Sequence, residues 1–127
     1  MRGLIRTGGG GIAEAATFTP GTYSADLTMD ADGESLALAD GTKKVYIVNQ
    51  GATTEDLRVA FGTDAADAIT NLAIAAGAAT TGYYLPSNAD VAGAGIVTLG
   101  VPSGANYIAC APGTAGDTQA VSIVQGV

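Results

Sequence analysis

The chain has 127 residues, which is the size of a single domain. Small side chains dominate, with 25 Ala, 19 Gly and 15 Thr against 5 Tyr, 2 Phe and no Trp. Because alanine buries little area, we expect a thin core that oligomerisation helps to stabilise. The sequence has no histidine, the commonest general base and metal ligand, so we expect no enzymatic activity and no cofactor.

The net charge of −7 makes a surface that repels phosphate backbones and favours basic partners. We therefore expect no direct binding to nucleic acid. The lone cysteine, Cys110, excludes an intramolecular disulfide. The first residues are basic but run into four glycines instead of an apolar segment, which predicts no signal peptide. No stretch has about 18 large apolar residues, so we expect synthesis in the cytoplasm and no membrane contact.

Residues 1–11 differ in composition from the rest, which predicts a flexible N-terminal arm ahead of one β-sandwich domain over 12–127. Arg2 and Arg6, two of the five cationic residues, flank the apolar pair Leu4 and Ile5. One interpretation is a frayed terminus. The other is a partner-binding arm, in which the apolar pair fills a groove on a neighbouring subunit and the arginines meet carboxylates.

Turn residues divide the start of the domain into short predicted strands. A strand over 17–19 is expected to stop at a Pro20-Gly21 turn. Residues 23–29 alternate with period two, as in a half-buried strand, and 35–39 predict the next one. The Asp40-Gly41 dipeptide then predicts a hairpin with a type I′ turn.

The middle of the chain contains the most apolar predicted strands. Residues 43–49 are rich in β-branched and aromatic side chains, which favours a central strand. Residues 57–61 alternate, with Arg58 outward and the apolar side chains inward.

Residues 64–76 are compatible with two structures. Apolar residues fall at helical spacing after a cap at Thr63 or Asp64, yet 72–74 would also suit a strand. We predict one short helix near 64–70.

The remaining predicted strands are 80–85, 96–99, 106–111 and 118–125. Strands that recur every 8 to 12 residues between turns are typical of an antiparallel β-sandwich or a jelly-roll-like small barrel. The prediction is an all-β fold with at most one short helix near 64–76.

Glycine and acidic clusters invite two binding-site interpretations that their spacing does not support. The glycines at 8–11 lack the Gly-Lys-Ser/Thr of a phosphate loop. Residues 30–34 resemble the middle of a calcium loop, but that register places Thr28 and Ala39 at the main ligand positions. We expect a solvated turn there and no metal site.

Few side chains offer nucleophilic or acid–base chemistry. Only Lys43 and Lys44 come into question as a base, and both follow a predicted turn, where we expect them in solvent. Cys110 lies in an apolar strand, which predicts a buried structural thiol.

Two acidic pairs, Asp64 with Asp67 and Glu55 with Asp56, are expected to be solvated. Tyr83-Tyr84 has two interpretations: a sugar-stacking or subunit-contact site, or ordinary packing at a strand end. We therefore predict no catalytic residue.

Four segments of the sequence, 44–51, 57–63, 101–109 and 122–127, resemble the strand and turn sequences of small β-sandwich virion proteins of tailed bacteriophages. The resemblance spans roughly residues 43–127 and lies in strands and turns. It implies a non-enzymatic virion structural protein: a capsid decoration or cement subunit on the outer surface of the head. The implied partners are other copies of the chain, with a trimer favoured, and the major capsid protein or another virion protein. The alternative is a carbohydrate- or receptor-binding module of a head or tail fibre, with the tyrosines at its tip.

Overall fold

The computed structural model describes residues 13–29, 33–49, 57–72, 82–85, 95–112 and 119–127. Strands dominate these residues, and the helix among them is short, so the all-β prediction is confirmed. In chain order the elements are β1 (Ala13–Glu14), β2 (Pro20–Met29), β3 (Glu34–Ala37), β4 (Lys44–Asn49), β5 (Leu57–Gly62), α1 (Ala65–Asn71), β6 (Gly82–Leu85), β7 (Ile96–Gly100), β8 (Tyr107–Pro112) and β9 (Gln119–Gly126).

The strands form two antiparallel sheets. Sheet A has the order β1-β7-β4-β9-β2, and sheet B has the order β3-β8-β5-β6. Apart from β1, the first half of the chain pairs with the second half in reverse order: β2 with β9, β3 with β8, β4 with β7 and β5 with β6. A long hairpin folded over itself in this way is a jelly roll.

The core lies between the two sheets, where alternate side chains of each strand point inward. On β5 the residues Leu57, Val59 and Phe61 are buried while Arg58 is half-buried on the outer face, as predicted. The strand β4 lies in the middle of sheet A, again as predicted. The buried residues of this core are Val45, Ile47, Leu57, Val59, Phe61, Tyr83, Leu85, Val97, Leu99, Ile108, Cys110, Val121 and Ile123.

The predicted hairpin at Asp40-Gly41 is wrong, because β3 and β4 belong to different sheets. Only Gly41 has a positive φ, 82°, whereas a type I′ turn needs one at both central residues. The turn closes with a hydrogen bond of 3.1 Å from the Thr42 N–H to the Ala39 carbonyl. The dipeptide does form a turn, but this turn takes the chain from β3 in sheet B to β4 in sheet A.

The predicted strand at 17–19 and the turn at Pro20-Gly21 are also wrong, since β2 begins at Pro20. Proline is tolerated at the first residue of an edge strand, where its missing N–H breaks no ladder hydrogen bond. The register shifts between Pro20 and Ser24, so the strand starts with an irregularity.

The helix α1 confirms the prediction near 64–70, and its cap is Asp64. The Asp67 N–H donates to the Asp64 carboxylate at 2.7 Å, and the Thr63 N–H donates to the Asp67 carboxylate at 2.9 Å. This reciprocal arrangement resembles a capping box. Asp64 is exposed and Asp67 is half-buried, and together they cap the start of α1.

Small side chains allow α1 to lie on the outer face of sheet B. Ala68 and Leu72 of this region pack against Ala60, Ala109 and Ala111. A Cβ at Gly62 would overlap the backbone of Ala68, so glycine is required where the helix comes closest to β5.

Candidate functional site

One end of the outer face of sheet A is crossed by residues 15–19, which we call the strap. The Ala15 N–H donates to the Thr98 carbonyl at 2.8 Å, on the β7 side of the sheet. At the other side, the Thr19 N–H donates to the Val127 carbonyl at 2.6 Å. The strap therefore passes over β4 between these two anchors.

Side chains of β4 hold the strap from below. The ring of Phe18 stacks on Tyr46 with centroids 5.8 Å apart. The Lys44 ammonium donates to the Thr17 carbonyl at 2.8 Å and to the Thr17 hydroxyl at 3.1 Å. Lys43 is exposed, as expected, but Lys44 is half-buried and works as an anchor for the strap.

Apart from Lys44, the described side chains at the outward positions of β4, β7 and β9 carry no charge. We call this set the neutral face: Tyr46, Val48, Ile96, Thr98, Ser122 and Val124. Its members are cross-strand neighbours, since β4 pairs Tyr46 with Thr98 and Val124, and Val48 with Ile96 and Ser122. Ile96 is 38% exposed, and the others are half-buried.

One side of the sandwich is closed by a hydrogen bond between two edge strands. The Tyr83 hydroxyl of β6 donates to the Glu14 carboxylate of β1 at 2.6 Å. Tyr83 is only 4% exposed and belongs to the core. Its ring offers no stacking platform, so for this residue the packing interpretation is confirmed.

A buried amide holds the turn that connects the two sheets. The Gln125 side-chain oxygen accepts from the Ala39 N–H at 2.7 Å and from the Thr42 hydroxyl at 3.0 Å. Its amide nitrogen donates to the Ala37 carbonyl at 3.2 Å. The shallow depression beside this turn is lined by the turn residues 39–42 and by Gly21, Gln125 and Gly126.

Cys110 is a structural thiol, as predicted. It is fully buried in the core, and burial raises the pKa of its thiol to about 12. A thiol that keeps its proton at neutral pH is a poor nucleophile.

Several predicted sites lie outside the described residues. Among these are the proposed arm residues Arg2, Leu4, Ile5 and Arg6, and with them the boundary between arm and domain. The glycines at 8–11, the acidic turn at 30–32, the pair at 55–56 and the side chain of Tyr84 also lie outside. Within the residues that the structure describes, no three His, Cys, Asp or Glu side chains come together as a metal site. No helix in that part of the chain is long and apolar enough to cross a bilayer.

The molecule is thus an all-β jelly roll, with the neutral face on the outer side of the central strands of sheet A. Comparison with known proteins finds no matching protein family, no matching characterised protein and no matching solved structure.

Proposed function

We propose that this chain is a non-enzymatic structural protein of a tailed-phage virion, a capsid decoration or cement subunit on the outer surface of the head. The observation that carries the proposal is that four described side chains capable of acid–base or nucleophilic chemistry serve the fold instead. Asp64 and Asp67 cap a helix, Lys44 anchors the strap, and Cys110 is buried in the core.

The sequence resemblance to virion proteins supports the same function. Its segments 44–51 and 57–63 include β4 and β5, and its segments 101–109 and 122–127 overlap β8 and β9. These strands build the centres of both sheets. The resemblance therefore concerns the architecture, on which the role of a cement protein depends. Because a fold alone does not define a function, the proposal also needs the binding test given below.

A cement subunit needs a rigid body and extended contacts with its neighbours, and it needs no substrate cleft. The jelly roll supplies the rigid body, and the net charge of −7 favours a basic patch on the capsid. The proposed partners are the major capsid protein or another virion protein, and further copies of this chain, with a trimer favoured.

The arm adds a contact that the domain alone lacks. In this proposal Leu4 and Ile5 pack into a groove of a neighbouring subunit or of the capsid, and Arg2 and Arg6 pair with carboxylates. Exposed ion pairs contribute only about 0.2–1 kcal/mol each, while ordering seven residues costs about 7–14 kcal/mol. The apolar pair and backbone hydrogen bonds must therefore supply most of the binding energy.

The test is the copy number of the protein in purified virions, measured by quantitative mass spectrometry against the major capsid protein. We expect a fixed, high ratio, and saturable rebinding of the purified protein to particles stripped of it. Absence from the particles would overturn the proposal. A few copies per particle, with binding to glycans, would instead favour the fibre module.

A matched comparison tests the arm. Protein without residues 1–9 keeps all the described strands, so its circular dichroism should match that of the full chain. Its affinity for stripped particles should fall tenfold or more, which corresponds to about 1.4 kcal/mol. Unchanged affinity would show that the arm is a frayed end.

A further inference from the structure

The buried amide of Gln125 has one N–H group without an acceptor in the part of the chain that the structure describes. Gln125 is only 4% exposed, and its amide nitrogen carries two hydrogens. The Ala37 carbonyl accepts one of them at 3.2 Å, and no described group accepts the other. The amide cannot be turned around, because its oxygen accepts from the Ala39 N–H and from the Thr42 hydroxyl. An unmet N–H on a buried side chain is rare and needs a partner from outside the protein.

This amide stands at the wall of the depression between the turn 39–42 and the ends of β2 and β9. Two residues that donate to its oxygen, Ala39 and Thr42, line the same depression, whose volume is about 180 Å³. A water molecule in the liquid takes about 30 Å³, so the depression is larger than one bridging water needs. It is smaller than the roughly 300–1,000 Å³ of pockets for drug-sized ligands. The space therefore suits a single unit of a small ligand.

The other described lining residues supply a free acceptor and little steric bulk. Asp40 is exposed, and its carboxylate has no hydrogen-bond or ion-pair partner among the described residues. The glycines Gly21, Gly41 and Gly126 bring backbone to the surface of the depression without side chains. None of the described lining residues is basic, so an anionic ligand would meet the Asp40 charge with no cation beside it. These features favour a neutral ligand that both accepts and donates hydrogen bonds.

We propose that this depression binds one neutral hexose unit. One sugar hydroxyl accepts from the free N–H of Gln125, and another donates to the carboxylate of Asp40. Hydroxyls suit both partners, because each has a donor hydrogen and acceptor lone pairs on one oxygen. A hydrogen bond to a charged carboxylate is roughly twice as strong as a neutral one, so Asp40 contributes most of the affinity and Gln125 fixes the orientation. The described lining residues include no aromatic platform for the ring, which predicts a weak Kd of about 1–10 mM.

Sugar binding goes beyond the proposed capsid role, and the two are measured separately. The copy number is determined on virions, whereas sugar binding is determined on the purified chain. A decoration subunit present in many copies would turn a weak site into firm attachment of the particle to a glycan-coated surface, because linked sites bind with avidity. Only this multivalent effect rests on the proposed function.

The test is an NMR titration of the ¹⁵N-labelled full chain with D-glucose, D-galactose and D-mannose, each up to about 50 mM. At least one hexose should give saturable shifts, with a clear change in the side-chain NH₂ signals of Gln125 and in the backbone amide of Gly41. Asp40→Ala should weaken binding tenfold or more. Asp40→Asn keeps a neutral acceptor and should weaken it several-fold. Both variants should fold normally, because the Asp40 side chain is exposed and holds no described contact.

The matched control is Glu34→Gln, which also converts an exposed carboxylate to an amide. Glu34 is at the start of β3, and the turn that lines the depression follows the end of that strand. This variant should bind like the native chain, which separates the Asp40 contact from a general effect of net charge.

Three results would overturn the inference. If none of the three hexoses gives saturable shifts, the Gln125 N–H is met by water alone. If shifts saturate but the Gln125 side-chain signals stay unchanged, the sugar binds elsewhere. If Asp40→Ala binds as tightly as Glu34→Gln, the carboxylate does not contact the ligand. None of these results changes the copy number in virions, so the capsid proposal is tested independently.

Discussion

The hydroxyl of Tyr83 on β6 and the carboxylate of Glu14 on β1 meet at 2.6 Å, although 69 residues separate them in the chain. Because β1 is an edge of sheet A and β6 an edge of sheet B, this hydrogen bond joins the two sheets along one open side of the sandwich. Hydrogen bonds to charged groups contribute about 1.5–3 kcal/mol.

Tyr83→Phe should therefore lower the free energy of unfolding by about 1.5–3 kcal/mol, because the ring still fills the core while the Glu14 carboxylate loses a donor. Urea denaturation followed by circular dichroism measures the change. The control is Tyr107→Phe, since the Tyr107 hydroxyl has no hydrogen-bond partner among the described residues. Equal stability of the two variants would show that the hydrogen bond from Tyr83 to Glu14 contributes nothing to the free energy of unfolding.

Gln125→Ala should destabilise the fold by about 2–4 kcal/mol. It leaves the Ala39 N–H and the Thr42 hydroxyl without their acceptor, and unmet buried polar groups cost about 1–3 kcal/mol each. Thr42→Val removes only one of these hydrogen bonds and should cost about 1 kcal/mol. If urea denaturation shows the same loss in free energy of unfolding for both variants, the Gln125 amide does not hold the turn.

Gly62→Ala should destabilise the protein by about 3 kcal/mol, because the new methyl group overlaps the backbone of α1 at Ala68. Hydrogen exchange should show the loss concentrated in α1. Gly104→Ala is the comparison: its φ is 83°, but a methyl group there meets no atom within 4 Å, so only backbone strain of about 1–2 kcal/mol is expected. A milder effect at position 62 than at position 104 would contradict the close approach of the helix.

Cys110 should make stability fall at high pH. Its pKa is raised by burial from 9.0 to about 12, so above pH 9 the unfolded chain loses the thiol proton while the folded chain keeps it. The unfolded state then binds fewer protons, and stability falls as pH rises from 9 towards 12, by about 1.4 kcal/mol per pH unit.

Cys110→Ala isolates this effect, because the two proteins differ in no other side chain. The stability difference between native and variant protein should be constant below pH 9 and should shift in favour of the variant above it. Urea denaturation at pH 8 and at about pH 10.5 compares the two. A difference that does not change with pH would mean that the thiol reaches solvent in the folded protein.

Local sequence patterns predicted the elements whose structure is specified by residues close together in the chain. The alternation in β5 and the β-branched run in β4 identified strands and their inward faces correctly, since burial on one side of a sheet imposes period two. Helical spacing after Asp64 likewise predicted α1, because capping and periodicity are local properties. The buried state of Cys110 followed from its apolar neighbours.

The candidate site was not predictable in the same way. The neutral face combines residues of three strands, and only the registers of β4 with β7 and β9 make Val48, Ile96 and Val124 neighbours. Lys44 was expected in solvent, but its ammonium is held by a strap whose path no local pattern describes. The one available signal was that Val48 and Ile96 fall at the outward positions of their alternating strands, where a solvated sheet face carries polar residues.

By itself, the sequence determined that this is an acidic all-β domain without histidine chemistry, together with most of its strands and its one described helix. Only the tertiary structure decided which strands pair. The Asp40-Gly41 turn looks like a hairpin locally, yet β3 and β4 lie in different sheets, and Gln125 from the last strand holds the turn between them. Turn residues specify that the chain bends, whereas strand partners are chosen by burial of apolar faces contributed by distant segments.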